Sequence, residues 1–451
     1  MIVAKFGGTS VADADAIART ADIIRGRLDR HPIVVVSAMA GVTNELLALA
    51  EQAVAGQLIS AIHAIEVLRT RHFVQTERLL GGTPAATEIC AEMSVMFDEL
   101  ANLAGALAVL GHLTPRSLDA IAATGEMLSS QLVVAAYAHV GIPAELVDAR
   151  QVMITDDQFT RAMPQTDAIA AATRTLILPL IREGKVPVLG GFVGATAAGV
   201  TTTLGRGGSD YTAALVGAAL KADAIEIWTD VDGMLTADPR VVSGARLIEQ
   251  IRFEEASELA SFGAKVLHPM TIAPAVRLGI PVFVYNSRRP EGVGTRITFD
   301  APRRPVSAIA GKSGTSVVKV RSSRMLLTHG FLRMIFEVFE RHRTSVDVVA
   351  TSEVSVSLTV DQAERLDGVL LDLAALGDVS VERARGIIAI VGAGLTDDSA
   401  AMSTALRALS GIKIHMLSLS ATGINLTVIV DGDQVAPAMR QLHAAFFPEA
   451  A

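Results

Sequence analysis

The segment Met1-Ile2-Val3-Ala4-Lys5-Phe6-Gly7-Gly8-Thr9-Ser10 joins a short apolar run, which ends in a lysine and a phenylalanine, to two glycines. Ile2–Phe6 has the composition of a buried strand, and the spacing of Ser10 and Asp13 is typical of a helix start. Two glycines at such a junction let backbone N–H groups approach a phosphate, to which the helix N-terminus and Lys5 would add positive charge. An ordinary strand-to-helix turn can have the same sequence, so this segment alone leaves both interpretations open.

Short β-branched runs alternate with Ala- and Leu-rich helical stretches as far as about residue 300. This alternation predicts an α/β domain with a largely parallel sheet. The clearest strands are Ile2–Phe6, Ile33–Ser37, Val186–Phe192, Ala224–Trp228 and Val282–Tyr285. Between residues 60 and 137 the chain is almost wholly helical, with breaks at residues 81–84 and 114–115.

The pattern changes after the basic, proline-containing stretch at residues 301–305, which we interpret as part of a linker. A β-α-β-β-α-β order of ferredoxin-like type follows, with Val379–Val381 as its last short strand, and the order begins again at Ile387–Val391. Ser352–Asp361 resembles Thr422–Asp431, which supports a repeat. We therefore expect a large domain at 1–300, a linker at 301–315 and two small α+β domains at 316–385 and 386–451.

Composition narrows the function classes. The 451 residues carry a net charge of −8 without a basic block, which disfavours a nucleic-acid partner. Mean hydropathy is high at +0.43, yet charges or amides interrupt the apolar stretches before the roughly 18 residues of a membrane span, so we expect no membrane partner. A single cysteine and the lack of a signal-peptide pattern favour the cytoplasm.

The loop Gly205-Arg206-Gly207-Gly208-Ser209-Asp210 is the most specific motif. It follows the short strand Val200–Leu204 and opens a helix that runs to about Leu220. An arginine held among glycines at a helix N-terminus is suited to bidentate capture of a carboxylate or phosphate. A flexible, solvated loop without a binding role is the alternative. The residue pattern favours a loop that binds a ligand.

Three further features are weaker indications of a ligand-binding site when each is taken alone. Trp228-Thr229-Asp230-Val231-Asp232-Gly233 follows a strand, where parallel sheets bind ligands, but Asp-x-Asp-Gly is also common turn chemistry. Lys265 lies in the apolar stretch Phe262–Pro269 and needs a partner or an anionic ligand. Glu126 is a lone carboxylate that we expect to open a long apolar helix, where a first-turn acid is favourable in any case.

Taken together, these segments resemble the aspartate kinases of the amino acid kinase family over essentially the whole chain. The segments that carry the resemblance are Lys5–Ser10, Ser37–Asn44, Gly205–Tyr211, Trp228–Arg240 and Phe262–Pro269. The resemblance implies a carbamate kinase-like three-layer α/β fold with a mainly parallel central sheet, followed by two ferredoxin-like ACT domains. It also implies phosphorylation of the β-carboxylate of L-aspartate by ATP with Mg²⁺, the first step toward lysine, threonine and methionine.

By the same resemblance, Lys5, Asp210 and Lys265 would be catalytic, with Asp210 orienting Lys5. The residues that would bind aspartate are Thr43, Glu126, Arg206, Ser209 and Asp210, with Arg206 on the α-carboxylate and Glu126 on the ammonium. Those that would bind the nucleotide and its phosphates are Lys5, Phe6, Gly7, Gly8, Ser37, Thr229, Asp230, Leu235, Arg240, Lys265 and Val266. No protein ligand of the metal is assigned.

The paired repeats resemble ACT domains of the lysine-sensitive type, which bind an amino acid at a domain interface. The residues that this resemblance assigns to the effector are Met325, Thr328, Gly330, Phe331, Ser345, Val346, Asp347, Thr351, Ser352 and Glu353, with Asp347 accepting its ammonium and the others near it. L-lysine is the expected inhibitor, and threonine stays open. ACT domains pair across subunits, so we expect a homodimer or a homotetramer.

Two other interpretations of the function remain open. One is a kinase of the same fold acting on glutamate, acetylglutamate or a nucleotide, although the combination of Glu126 and Arg206 favours a free amino acid. The other is a non-catalytic amino acid sensor, which the lysines and the loop Gly205–Asp210 disfavour.

Overall fold

The computed structural model describes residues 1–262, 269–326, 328–361, 365–397 and 399–448. The strands are β1 (Ile2–Phe6), β2 (Pro32–Val36), β3 (Ala144–Leu146), β4 (Ile154–Thr155), β5 (Val186–Gly190), β6 (Val193–Thr196), β7 (Thr201–Thr203), β8 (Ala224–Thr229), β9 (Gln250–Arg252), β10 (Val282–Asn286), β11 (Thr295–Thr298), β12 (Ala308–Arg321), β13 (Val349–Thr351), β14 (Ser355–Val360), β15 (Asp378–Val391), β16 (Met416–Leu419) and β17 (Asn425–Asp431). The helices are α1 (Ala14–Arg25), α2 (Val42–Val54), α3 (Leu58–Leu80), α4 (Pro84–Leu110), α5 (Pro115–His139), α6 (Ala149–Val152), α7 (Thr166–Leu176), α8 (Leu178–Arg182), α9 (Gly208–Leu220), α10 (Phe253–Ser261), α11 (Pro269–Arg277), α12 (Phe331–Arg341), α13 (Leu366–Leu373), α14 (Ser399–Ala408) and α15 (Val435–Phe446).

The chain divides into two compact units. The first comprises residues 1–234 and 266–299, and the second residues 235–265 and 300–451. The short segment 235–265 therefore leaves the first unit before α11 and β10 complete it, an exchange that the sequence did not indicate.

In the first unit, seven strands form one sheet in the order β3-β5-β2-β1-β8-β10-β11. All neighbours are parallel except β10 and β11. Alternate residues of β1 face opposite layers: Ala4 and Phe6 enter a core built with α1–α5, whereas Val3 faces α9 near Gly217. Helices on both faces of a mostly parallel sheet confirm the predicted α/β class.

The predicted helical stretch between residues 60 and 137 is confirmed as α3, α4 and α5. Its breaks fall where the sequence places glycine or proline: Gly81 ends α3, and Pro84 and Pro115 begin α4 and α5 behind the capping residues Thr83 and Thr114. By length and composition alone α4 could cross a bilayer, which we did not anticipate. One face of α4, with Met93, Phe97 and Leu100 among its residues, is buried in the core shared with α2 and α3.

The second unit contains a six-stranded antiparallel sheet in the order β13-β14-β12-β15-β17-β16. Our two predicted strands Val379–Val381 and Ile387–Val391 are one continuous strand, β15, and β12 begins at Ala308, inside the predicted linker. The halves of these long strands serve different repeats. Val317–Arg321 pairs with β14 and the first half of β15, whereas Ala308–Ser313 pairs only with the second half of β15, next to β17.

The two repeats are therefore interleaved. The edge strand of the second repeat comes from residues that precede the first repeat, and a register shift around Thr315 separates the two halves of β12. The two cores remain separate, because Phe331, Ile335 and Leu358 belong to one cluster while Ile309, Ile388 and Leu442 belong to the other. The predicted domain limits thus stay a prediction, and they do not anticipate this exchange of strands.

A buried carboxylate connects three parts of the second unit. Glu255, at the start of α10, is fully buried. Its Oε1 accepts hydrogen bonds from Ser307 Oγ (2.7 Å) and Ala393 N (2.7 Å), and its Oε2 accepts one from Arg252 N (3.0 Å). One side chain thereby joins α10 to the segments at the ends of β12 and β15.

Glu255→Ala should destabilise the second unit by about 3 kcal/mol, because two buried N–H groups and one hydroxyl lose their acceptor. Hydrogen exchange of the β12 and β15 amides would measure the effect. Glu249→Ala, which removes an exposed carboxylate of the same segment, is the matched control and should change nothing. Equal protection in the two variants would contradict this role of Glu255.

Candidate active site

The carboxyl ends of the parallel strands bring the predicted motifs of the first unit together. Lys5 and Phe6 pair with Val35 and Val36 of β2 on one side and with Ile227 and Trp228 of β8 on the other. Gly7 N donates to Trp228 O (3.0 Å), and Ser37 N donates to Phe6 O (3.0 Å). The turns after β1, β2 and β8 therefore share one edge of the sheet, as ligand-binding edges of open α/β sheets do.

Lys5 and Asp210 form a largely buried ion pair at this edge. Lys5 Nζ lies 2.7 Å from Asp210 Oδ1, and the two side chains are 11% and 13% exposed. Asp210 is the third residue of α9, so the pair joins the central strand to the start of this helix. The sequence placed both residues in the site, and the structure shows them in contact.

The N-terminus of α9 is open to a ligand. Its N-cap is Gly207, with φ +74°, and no side chain of the described residues caps the first-turn N–H groups. Ser209 in this turn accepts a hydrogen bond from Ser37 Oγ at 3.1 Å. Gly208 N already donates to Gly205 O (3.0 Å), so the N–H groups of Ser209 and Asp210, with the positive end of the helix dipole, make this turn suitable for an anionic group.

A cavity of about 440 Å³ lies beside this helix start. Seven predicted residues line it: Lys5, Ser37, Thr43, Glu126, Arg206, Ser209 and Asp210. Arg206 is exposed, and among the residues that the structure describes its guanidinium has no ion-pair partner. The cavity thus combines a free cation with a buried acid.

Glu126 differs from the prediction in its position. It lies in the middle of α5 and not at the start of a helix, so the helix dipole does not account for it. The side chain is 4% exposed, and its Oε2 has no hydrogen-bond partner among the described residues. Burial raises the pKa of Glu126 to about 8, against the opposing effects of the Ala38 and Glu126 N–H groups and the Lys5 charge.

Sequence analysis missed several residues of the cavity. Asp119, on the same face of α5 as Glu126, is 1% exposed and lines the cavity with Thr160, Phe192 and Thr203. Burial raises the pKa of Asp119, while hydrogen bonds from Thr203 and Thr160 lower it. An acid within the apolar stretch 118–123 was a signal that could have been followed, whereas the positive φ of Thr160 (+70°) and Phe192 (+67°) had none.

The residues predicted to bind the nucleotide differ in how exposed their side chains are. Thr229 lies at the end of β8, where its Oγ1 contacts Asp230 Oδ1 at 3.3 Å, and the Asp230 carboxylate is exposed. The Phe6 side chain is fully buried against Trp228, so only its backbone could reach a ligand. Lys265 and Val266 lie outside the described residues.

Leu235 and Arg240 belong to the second unit. Leu235 pairs with Leu247 in an isolated bridge. Arg240 is exposed, and its guanidinium binds both oxygens of Asp238, at 3.0 and 2.7 Å. To bind the nucleotide, Arg240 would have to release the Asp238 carboxylate or contact both groups at once.

The predicted effector residues form two groups within the second unit. Met325, Thr328, Gly330 and Phe331 follow β12, at the end of the sheet where Ser322 N donates to Val354 O and Ser352 N to Ser355 O. Thr351, Ser352 and Glu353 lie at this same end, whereas Ser345, Val346 and Asp347 precede β13 at the opposite end. Within one chain β13 therefore separates Asp347 from Ser352, and an effector site that brings the two groups together stays a prediction.

Asp347 already has a cationic partner. Lys312 Nζ lies 3.0 Å from Asp347 Oδ2 and 2.5 Å from Asp361 Oδ2. Burial raises the pKa of Asp347, and the hydrogen bond and charge of Lys312 oppose the rise. An effector ammonium at Asp347 would have to displace or join this lysine.

Comparison with known proteins agrees with this architecture. Residues 1–286 match the amino acid kinase family, and residues 388–446 match an ACT domain. The chain is 39% identical to lysine-sensitive aspartokinase 3 of Escherichia coli, with 99% of each chain covered. It is 37% identical to chloroplastic aspartokinase 3 of Arabidopsis thaliana, with 99% of this chain and 81% of the relative covered.

This chain belongs to the aspartokinase family.

Solved aspartokinase structures show the same fold. Escherichia coli aspartokinase III in complex with aspartate and ADP, described as the R-state, matches with a TM-score of 0.85, 38% identity and coverage of 99% and 100% of the two chains. The same enzyme with lysine and aspartate, described as the T-state, matches with a TM-score of 0.82 at 37% identity and covers 99% of each chain. The family, the fold class and the kinase assignment predicted from the sequence are thereby confirmed.

In the ligand-free aspartokinase fold, Glu126 should make stability pH-dependent. Its folded pKa of about 8 lies above the unfolded value of 4.5, so the folded state retains a proton that the unfolded state has released. Stability conferred by the protonated carboxyl is therefore lost as pH rises from about 5 to 8, by up to about 1.4 kcal/mol per pH unit. Glu126→Gln should remove this loss.

The measurement is the difference in Tm between wild type and Glu126→Gln across pH 5 to 9. We expect the variant to gain relative stability with rising pH and to level off above pH 8. Glu88→Gln, at an exposed position of α4, is the control and should stay parallel to wild type. A constant difference between Glu126→Gln and wild type would show that Glu126 is already ionised.

Proposed function

We propose that this chain transfers the γ-phosphoryl group of ATP to the side-chain carboxylate of L-aspartate, giving ADP and 4-phospho-L-aspartate. The observation that carries the proposal is a cavity lined by both Glu126 and Arg206. Among the described residues, Glu126 Oε2 has no hydrogen-bond partner and the Arg206 guanidinium has no ion-pair partner. A free amino acid presents the complementary pair, an ammonium and an α-carboxylate. The complex of Escherichia coli aspartokinase III with aspartate and ADP supports the same substrates.

Aspartate would be held by its main-chain groups so that its side chain is free to react. Arg206 would bind the α-carboxylate, Glu126 the ammonium, and Thr43 and Ser209 would complete the contacts. The contacts with Arg206 and Glu126 would orient the side-chain carboxylate for attack. Substrate binding would then already have met the entropy cost of bringing two anionic reactants together.

Phosphoryl transfer between anions depends mainly on positioning and on neutralising charge. Lys5 would stabilise the transferring group, and Asp210 would orient the lysine through the 2.7 Å ion pair. The N–H groups of Gly8 and the first turn of α9 would add fixed donors that need no rearrangement during the reaction, whereas the Gly7 N–H already donates to Trp228 O. Lys265 is proposed in the same role by family resemblance.

Mg²⁺ would accompany ATP and supply charge neutralisation on its phosphates. Asp230 fits as a protein ligand, because its exposed carboxylate offers the oxygen donors that this hard cation prefers. Within the described ranges no group of three or more His, Cys, Asp and Glu side chains could hold a metal ion by itself. A cation carried mainly by the nucleotide is consistent with that donor set.

The second unit would bind an amino acid effector, with L-lysine proposed and threonine as the alternative. The complex of the Escherichia coli relative with lysine and aspartate supports lysine. Because the two groups of effector residues lie at opposite ends of β13, two copies of the chain could complete a site that one copy does not. We therefore propose a homodimer or homotetramer, in the cytoplasm, in the pathway toward lysine, threonine and methionine.

Formation of an aspartyl hydroxamate tests the activity directly, because hydroxylamine traps an acyl phosphate. With ATP and Mg²⁺ we expect turnover of L-aspartate and none of L-glutamate or N-acetylglutamate, and suppression by millimolar lysine but not by threonine. Turnover that neither amino acid suppresses would keep the kinase and refute the lysine site. No hydroxamate with any substrate, together with retained lysine binding, would favour the sensor reading.

Two substitutions separate binding from chemistry. Arg206→Ala should raise the KM for aspartate by about 10- to 100-fold, the range expected for loss of a charge-assisted contact. Lys5→Ala should lower kcat by about 100-fold or more, because a donor to the transition state is lost. Steady-state kinetics with each substrate varied in turn would measure both.

Arg182→Ala removes an exposed arginine on α8 of the same unit and should leave both constants unchanged. An unaltered KM for aspartate in Arg206→Ala would refute the α-carboxylate assignment. Full turnover in Lys5→Ala would refute the role of the lysine.

A further inference from the structure

Two acids on one face of α5 line the cavity, and their bonding is opposite. Asp119 and Glu126 are seven residues apart, which is two helical turns. Glu126 Oε2 has no partner among the described residues, so it is available to a ligand. Asp119 has both oxygens engaged: Oδ1 accepts from Thr203 Oγ1 (2.6 Å), and Oδ2 accepts from Thr203 N (3.0 Å) and Thr160 N (2.8 Å).

The donors to Asp119 belong to the two backbone segments beside the arginine loop. Thr203 ends β7, and only Leu204 and Gly205 separate it from Arg206. Thr160 lies on the neighbouring segment, and a Cβ at Gly205 would come within 3.2 Å of its carbonyl oxygen. Gly205 itself has φ +74°. The start of the loop therefore lies against Thr160 and follows closely after Thr203 in the chain. The Asp119 carboxylate accepts hydrogen bonds from both threonines.

Thr160 also needs this carboxylate for its own conformation. Its φ of +70° is unusual and energetically costly for a β-branched residue. A hydrogen bond to a charged acceptor helps to offset this cost. The strained backbone beside Gly205 thus persists because Asp119 accepts its N–H.

Arg206 has no comparable anchor of its own. Its side chain is exposed and, among the described residues, without an ion-pair partner, so its place in the cavity depends on the backbone that carries it. A shift of about 1 Å in a group that positions a substrate is enough to reduce its effect strongly.

We propose that Asp119 is a positioning residue, which fixes the start of the loop, Gly205 and Arg206, through Thr203 and Thr160 and so sets the contact of Arg206 with the α-carboxylate of the amino acid substrate. This inference rests on the role assigned to Arg206 in the proposed function. Asp119 itself does not touch the substrate, because its oxygens are occupied by the protein and it is almost fully buried.

Asp119→Asn is the principal test, in the full-length protein. The amide keeps the shape of the side chain, but its neutral oxygen is a weaker acceptor than the carboxylate for the Thr203 and Thr160 N–H groups, and its NH₂ group replaces the acceptor of the Thr203 hydroxyl. The KM for aspartate should rise about tenfold or more, while kcat and the KM for ATP stay within about twofold. A merely structural role would lower kcat and the amount of active enzyme without this separation between the two substrates.

Thr203→Val provides a milder variant if Asp119→Asn folds poorly. It removes one of the three donors and should raise the KM for aspartate about threefold, whereas Thr203→Ser retains the hydroxyl and should restore the wild-type value. Asp157→Asn is the matched control, an exposed acid on the segment that carries Thr160, and should have no effect.

A double-mutant cycle identifies the route of the effect. If Asp119 acts through Arg206, Asp119→Asn should add nothing to the KM for aspartate of Arg206→Ala. Additive effects, or an equal rise in the KM values of both substrates, would overturn the proposal. If Arg206→Ala leaves the KM for aspartate unchanged, the role of Arg206 in the proposed function is refuted. If Arg206→Ala raises this KM and Asp119→Asn does not, only the inference about Asp119 is refuted.

Discussion

The ion pair between Lys5 and Asp210 is the contact on which the first unit's site depends. It joins the end of the central strand β1 to the first turn of α9, and it is largely withdrawn from water. The lysine ammonium and the helix N-terminus are both positive, so Asp210 offsets a repulsion that would otherwise separate them. With the carboxylate in place, positive groups from two elements converge on one anionic ligand.

Burial gives the same functional group three different tasks in this chain. Glu255 is satisfied by three donors and connects parts of the second unit. Asp119 is satisfied by three donors and holds two segments beside the arginine loop. Glu126 retains an oxygen without a hydrogen-bond partner in the described part of the chain, and burial raises its pKa to about 8. The number of donors within reach, and not the residue type, separates a structural acid from one suited to a ligand.

The second unit has a different constraint, because its two repeats share strands. β12 and β15 each contribute one half to each repeat, so neither repeat can close its sheet without the other. Displacement of one repeat would be transmitted along continuous backbone to its neighbour. Such a pair of long strands is a physical basis for coupling an effector-binding repeat to the rest of the unit.

The class of the first unit, the positions of its clearest strands and the loops at the strand ends were predictable from the sequence. These features are local, since β-branched runs, glycines and capping residues act over a few positions. The sequence also identified Lys5, Asp210, Arg206 and Glu126 as site residues, through the glycine-rich motifs and family resemblance. Only the folded chain shows that Glu126 lies mid-helix with one oxygen unpaired among the described residues, that Asp119 accepts hydrogen bonds from Thr203 and Thr160, and that β12 and β15 are interleaved. Desolvation and pairing between distant segments depend on what surrounds a residue in space, and no local pattern records it.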